Sequence, residues 1–305
     1  MSTYLLQIFN GVSVSSILML AALGLAITFG LMKIINMAHG ELIMIGAYVT
    51  YVIQNIFIRY FDKSIFSLYY IFALPGAFVV AALVGYLLEI SIIKRLYGRP
   101  LDSLLATWGV SLILQQLARS IFGAPNVDVK SPAWLEGGLV LGGTQLPYKR
   151  LFIIGLVIAC IAGVYIFLYR TAYGRKIRAV MQNRPMAQSL GINTRKVDSI
   201  TFAMGAGLAG TAGCALTLLG SIGPTLGTNY IVDTFMVVVL GGVGRIVGRI
   251  VGTVTGSAAI GVGNTTFEFF TNASLGKVLV FLMVIIFLQW KPQGFFTINS
   301  RALDE

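Results

Sequence analysis

Charge is scarce in this sequence, and acidic charge scarcest of all. Only 11% of its 305 residues are charged, against roughly 25% in soluble domains, and 11 acidic residues stand against 22 basic ones. With 57% hydrophobic residues and a mean hydropathy of +0.86, the chain is an integral membrane protein. There is one histidine, and there are two cysteines. Cys160 and Cys214 both fall in apolar segments, as buried thiols that say nothing about a redox compartment. One histidine and two embedded cysteines cannot assemble a four-ligand zinc site without carboxylates that the nearby sequence does not offer. A G-x-x-x-x-G-K-[ST] phosphate loop, a G-x-S-x-G elbow and a convincing acid pair are all missing. These absences weigh against an intramembrane enzyme and favour a channel or transporter. Any ATP that drives it must be hydrolysed on another chain. The first ten residues hold no Lys or Arg, so they lack the charged start of a cleaved secretory signal, and the first span is expected to remain.

Apolar runs of spanning length are abundant. Residues 12–32, 42–58, 68–93, 104–121, 151–168, 200–222, 231–243, 246–262 and 278–290 are predominantly apolar and without even-period alternation. They predict an all-α polytopic bundle of about eight to ten transmembrane helices, in which short Gly-rich segments are broken or re-entrant, forming one domain over residues 1–305. The net charge of +11 resides in loops between these runs, not among aromatics on a polar face. That pattern orients a chain in a membrane and excludes a nucleic-acid footprint. The positive-inside rule places residues 94–99, 170–197 and the tail with Lys291 and Arg301 in the cytoplasm. The 122–150 loop and the N-terminus then lie outside.

The basic loop at 170–197 carries Arg170, Arg175, Lys176, Arg178, Arg184, Arg195 and Lys196 and no acid up to Val197. Inside it Asn183 reads as a helix cap, Pro185 as a first-turn residue and Gly191 as a stop, with Met186 and Leu190 on one face. A short helix on a basic cytoplasmic loop suits docking into a partner; a loop that only fixes topology is the alternative. Gly244, Gly248, Gly252 and Gly256 recur every fourth residue and share a helix face, which suits close backbone packing inside the subunit or between subunits. Gly205, Gly207, Gly210 and Gly213 form a second, less regular strip.

Three places bear polar groups at membrane depth. The knot Asn36-Met37-Ala38-His39-Gly40-Glu41 holds the only histidine and reads either as a broken helix on a substrate path or as an interfacial turn. Thr107, Ser111 and Gln115 lie at i, i+4 and i+8, beside Trp108 and Gln116, as a face for a neutral solute or for helix-to-helix hydrogen bonds. Asp233 is a pathway residue or the cap of its segment.

Three stretches carry a resemblance: the run from Gly30 through INMAHGELIMIGAY, the loop GRKIRAVMQNRPMAQSLGI, and DTFMVVVLGGVGRIVG. In this order and spacing, the chain resembles the permease subunits of branched-chain amino acid type ABC importers over nearly its whole length. Within that family it looks most like the urea-transporter branch, through PLDSLLATWGVSLILQQ, RAVMQNRPMAQSLGI and GPTLGTNYIVDTFMVVVLGGVG. Lys33 and Arg249 depart from the family pattern. The resemblance implies a multi-pass inner-membrane permease that carries urea or a short amide, with branched-chain amino acids as the alternative. It also implies a second permease subunit, two cytoplasmic ATPase subunits that hold ATP and Mg, an extracytoplasmic binding protein, and no cofactor on this chain. The helix around Pro185 would then be the ATPase-coupling helix, with the Ala187-x-x-x-Gly191 spacing permitting close seating and Arg178, Asn183 and Arg184 contributing polar contacts.

Overall fold

Small residues decide where the helices of this chain meet. The computed structural model describes residues 2–32, 35–62, 65–141, 144–242, 246–292 and 294–295. Its helices are α1 (Ser2–Met32), α2 (His39–Tyr60), α3 (Tyr69–Ser91), α4 (Pro100–Phe122), α5 (Tyr148–Arg170), α6 (Ala172–Gln182), α7 (Arg184–Ser189), α8 (Thr194–Leu216), α9 (Leu226–Gly241), α10 (Ile246–Phe270) and α11 (Ala273–Trp290). Among the described residues, six helices are long and apolar enough to cross a membrane: α1, α2, α3, α5, α8 and α11. The 23-residue α4 and 25-residue α10 match them in length, and α9 has 16 residues. At 1.5 Å per residue α9 spans about 24 Å, short of a hydrocarbon core of about 30 Å. Among the described residues, nine helices of span or near-span length fit the expected all-α bundle, and only one of the two Gly-rich segments is short.

At the centre stands α8, packed on α1, α2 and α3. Its glycine strip explains why. A Cβ on Gly213 would lie 1.9 Å from the Ile43 carbonyl oxygen of α2, and one on Gly210 would lie 2.4 Å from that of Ala77 in α3. Lipid offers no hydrophobic push between helices, so close backbone approach is what stabilises such contacts. Replacing Gly213 by Leu is therefore expected to drive α2 off α8, because a backbone carbonyl cannot yield as a side chain does. Size-exclusion recovery of the monodisperse protein should fall about tenfold or more, in line with an overpacking cost of about 1–3 kcal/mol. Gly155→Leu, at a position with nothing within 4 Å, should leave recovery unchanged.

The loop expected outside is built and tied down. β1 (Gly138–Leu141) pairs antiparallel with β2 (Thr144–Pro147), Gly138 opposite Pro147. The Lys130 amide donates to Gln54 Oε1 at 2.6 Å, and Val127 bridges to Ile222. Both cysteines are free thiols, Cys214 buried and Cys160 half-buried. Lys33, Gly244 and Arg301 lie outside the described residues, and for Gly248 and Arg249 the description stops at their helical backbone in α10.

Candidate functional site

Between α1 and α2 the chain leaves helix deep inside the bundle. The Ala38 amide donates to Asn36 Oδ1 at 3.1 Å, which turns the backbone into the first turn of α2. His39, fully buried, places Nε2 3.1 Å from the Ala21 carbonyl oxygen. Ala21 lies about three turns before the end of α1, so the start of α2 sits among helices and not at the lipid headgroups. This enclosure favours the broken-helix alternative over the interfacial turn. Gly40 makes this possible: a Cβ there would meet the Gly227 carbonyl oxygen at 2.5 Å, so the first turns of α2 and α9 touch backbone to backbone.

The polar face of α4 closes on this break. Ser111 Oγ and Gln115 Nε2 each donate to Glu41 Oε1 at 2.9 Å, and Gln115 Nε2 also donates to Thr228 Oγ1 at 2.9 Å. Thr107 Oγ1 accepts from the Met37 amide at 3.1 Å and donates to the Ser103 carbonyl at 2.7 Å. Helix-to-helix hydrogen bonding thus uses part of the set. What it leaves is more informative. Among the described residues, Asn36 Nδ2, His39 Nδ1 and Glu41 Oε2 are buried without a hydrogen-bond partner. Each such group costs roughly 1–3 kcal/mol, and native interiors hold few of them without a functional reason. Three within six residues, facing a broken helix, make this stretch a solute-contact candidate that offers an amide donor, an imidazole nitrogen and a carboxylate oxygen.

Two sequence candidates fall elsewhere. Trp108 lies by spacing on the α4 face of Ser111 and Gln115 but is 55% exposed. Asp233 lies in the interior of α9, paired with Lys277 of α11 at 3.2 Å. The capping alternative for Asp233 is corrected by this, since α9 begins seven residues earlier with Thr225 at its cap position. Thr228 was missed. A hydroxyl in a loop-like TNY stretch gives no periodic signal.

The basic loop folds as its residues predict. Asn183 Oδ1 accepts from the Met186 amide at 3.0 Å, Pro185 occupies the first turn of α7, and Gly191 turns the chain at φ 80°. Most of the predicted coupling residues serve this loop from within. The Arg178 guanidinium donates to the Leu168 carbonyl at the end of α5 and lies 4.7 Å over the Tyr169 ring. Arg184 pairs with the fully buried Asp198 of α8 and stacks 5.2 Å over Tyr97. Ala187 is 2% exposed, packed with Ile177, Val180 and Val197. Its smallness therefore seats α7 on this chain's own core. Met186 and Leu190, 58% and 74% exposed, form the apolar face that points outward.

A buried polar set that sequence reading missed joins this loop to the spans. Glu89 near the end of α3 accepts from Tyr97 Oη at 3.1 Å and from Ser199 Oγ of α8. Burial, with Asp198 and Glu89 adding to it, pushes the Tyr97 hydroxyl well above its ordinary value, so it stays a donor. Arg184→Ala would leave Asp198 buried without its cation. The expected loss is roughly 2–3 kcal/mol, below that of a fully enclosed pair because Arg184 is partly exposed. Faster proteolysis within residues 172–193 checks it.

The second-half glycines are spent inside the chain where they are described. A Cβ on Gly252 would lie 2.3 Å from the Gly241 carbonyl oxygen, and one on Gly256 would lie 2.6 Å from that of Val237. They pack α10 on α9, not one subunit on another.

A polytopic helical bundle with unpartnered polar groups at a buried helix break, and a capped helix presenting apolar side chains outside the spans, fits a membrane transport subunit. The chain belongs to the family described as branched-chain amino acid transport system / permease component, whose model matches residues 7–288. It is a multi-pass inner-membrane permease and not an enzyme. It is 29% identical over 298 residues to the high-affinity branched-chain amino acid transport system permease protein BraD of Pseudomonas aeruginosa, covering 95% of each chain. To the LivH permease protein of the corresponding Salmonella typhimurium system it is 30% identical over 304 residues, covering 95% of this chain and 94% of that one. The ribose import permease RbsC of Escherichia coli is 28% identical over 223 residues, 70% of this chain and 66% of its own. No solved structure matches the chain.

Proposed function

We propose that this chain forms one side of the solute path of an ATP-binding-cassette importer, working with a second permease subunit, two cytoplasmic ATPase subunits and an extracytoplasmic binding protein. The observation that carries the path is the trio of unpartnered buried atoms on Asn36, His39 and Glu41. ATP and Mg are held by the ATPase subunits. Closure of those subunits moves α7, and the Arg184–Asp198 and Glu89–Ser199 contacts pass that movement to α8 and α3. Rocking of the two permeases then exposes the break to one side and afterwards to the other.

The relatives' names support branched-chain amino acids as the solute. In that reading Glu41 Oε2 receives the ammonium group, and Asn36 Nδ2 donates to the carboxylate. Urea or a short amide is a second reading, favoured by the neutral amide and hydroxyl groups around Glu41: Gln115, Ser111, Thr107 and Thr228. These suit a small planar molecule with both donors and acceptors. Uptake of labelled leucine and labelled urea into proteoliposomes holding the complete complex, with ATP and binding protein, separates the two. ATP-dependent leucine uptake that urea does not compete supports the first, and the converse supports the second. Flux of either solute without ATP overturns the importer.

A further inference from the structure

We propose that the cleft between α3 and α8 at the cytoplasmic face binds an anionic phospholipid, with its phosphate in a basic mouth and an acyl chain in an apolar groove below. The mouth is a cavity of about 840 Å³ rimmed by Lys94 and Arg95 beyond α3 and by Arg195 and Lys196 in the first turn of α8. Among the described residues, none of these four cations makes an ion pair. Arg184 also lines the cavity, but Asp198 takes its charge. Among the described residues, Glu89 is the one carboxylate in the lining, and its two oxygens accept from Tyr97 and Ser199. The mouth therefore carries a surplus of positive charge at the level where lipid headgroups lie.

A second cavity, of about 480 Å³, runs between α3, α5 and α8, lined almost wholly by apolar side chains such as Phe78, Phe167 and Met204. Ile200, 38% exposed, lines both cavities and joins them. Phe78 and Ala82 in the groove and Tyr86 and Ile90 in the mouth follow one another at four-residue spacing, which keeps them on one face of α3. A free phosphate would use only the mouth, and a zwitterionic lipid would bring an ammonium group among four cations. An anionic diacyl lipid matches both the charge above and the groove below. The inference rests on the membrane-spanning fold alone and is independent of the transported solute.

Native mass spectrometry of the complete complex, extracted from membranes containing phosphatidylglycerol and phosphatidylethanolamine, tests it. Wild-type complex should retain phosphatidylglycerol in preference to phosphatidylethanolamine, and excess glycerol 3-phosphate should not displace it. Lys94→Ala with Arg95→Ala should lower retention by about tenfold or more, since each basic residue near a membrane surface strengthens anionic-lipid binding severalfold. Ile200→Trp, which blocks the passage without altering charge, should lower it as well. Equal retention in wild type and both variants overturns the proposal. So does equal retention of the two lipids, displacement by glycerol 3-phosphate, or a complex with no bound lipid because a partner subunit seals the cleft.

Discussion

Glu41→Gln is expected to lower ATP-driven solute uptake by about tenfold to a hundredfold while the complex stays assembled and hydrolyses ATP. Ser111 and Gln115 both donate to Glu41 Oε1. A glutamine can keep its carbonyl oxygen there, so the contact between α2 and α4 survives. What it loses is the second carboxylate oxygen, the buried one without a partner. A hydrogen bond to a charged group contributes roughly 1.5–3 kcal/mol, and if the solute supplies its donor, that is the size of the transport defect. A group that served packing alone would leave uptake near the wild-type rate. Asn36→Ala should act in the same direction through the loss of its free Nδ2. Its Oδ1 also holds the turn before α2, so some of its effect would appear as lower stability.

The second large effect is expected at α7. Met186→Asp combined with Leu190→Asp should weaken binding of the ATPase subunits at least about a hundredfold, abolishing transport without unfolding the permease. Both side chains are largely exposed in this chain, and burying each in a partner is worth roughly 1.5–3 kcal/mol. Asp at both positions removes that gain and adds two charges to be desolvated. Pull-down of the ATPase by tagged permease measures it, and retained binding with intact uptake would remove α7 from the coupling role. Ala187→Trp is the less informative substitution. Ala187 packs against Ile177 and Val197 in this chain, so a bulky residue there would dislodge α7 whether or not an ATPase docks on it.

That contrast shows what the residues disclose and what they do not. The cap at Asn183, the proline in the first turn and the glycine stop are local chemistry, and each appears where the sequence places it. The resemblance makes Ala187 a docking residue, whereas the structure buries it at 2% exposure; a six-residue helix cannot reveal which of its faces meets its own core. The i, i+4, i+8 spacing of Thr107, Ser111 and Gln115 gave their common face, and the knot at Asn36 to Glu41 was visible as polar residues in an apolar setting. That the two meet at Glu41 is a contact across some 70 residues, and no local pattern encodes it. Glu89 and Asp198 escaped notice for the same reason. Each stands at the end of a span, where a charge normally marks only the membrane surface, and burial between Tyr97, Arg184 and Ser199 is a tertiary fact. Asp233 misled because its segment begins earlier than hydropathy suggests: residues 226–230, LGTNY, read as loop but form the first turns of α9.

The central claim is that the buried break at Asn36 to Glu41 opens to solute during the transport cycle. Its most direct test is thiol accessibility at Ser111, whose hydroxyl contacts Glu41. Ser111→Cys changes one atom, and Cys160→Ala with Cys214→Ala removes the native thiols. A membrane-impermeant thiol reagent should label Cys at this position in the complete complex, ATP should change the side from which it reacts, and transported solute should slow the reaction. A complex that transports at the wild-type rate while this thiol stays unreactive from both sides, with and without ATP, would contradict the claim.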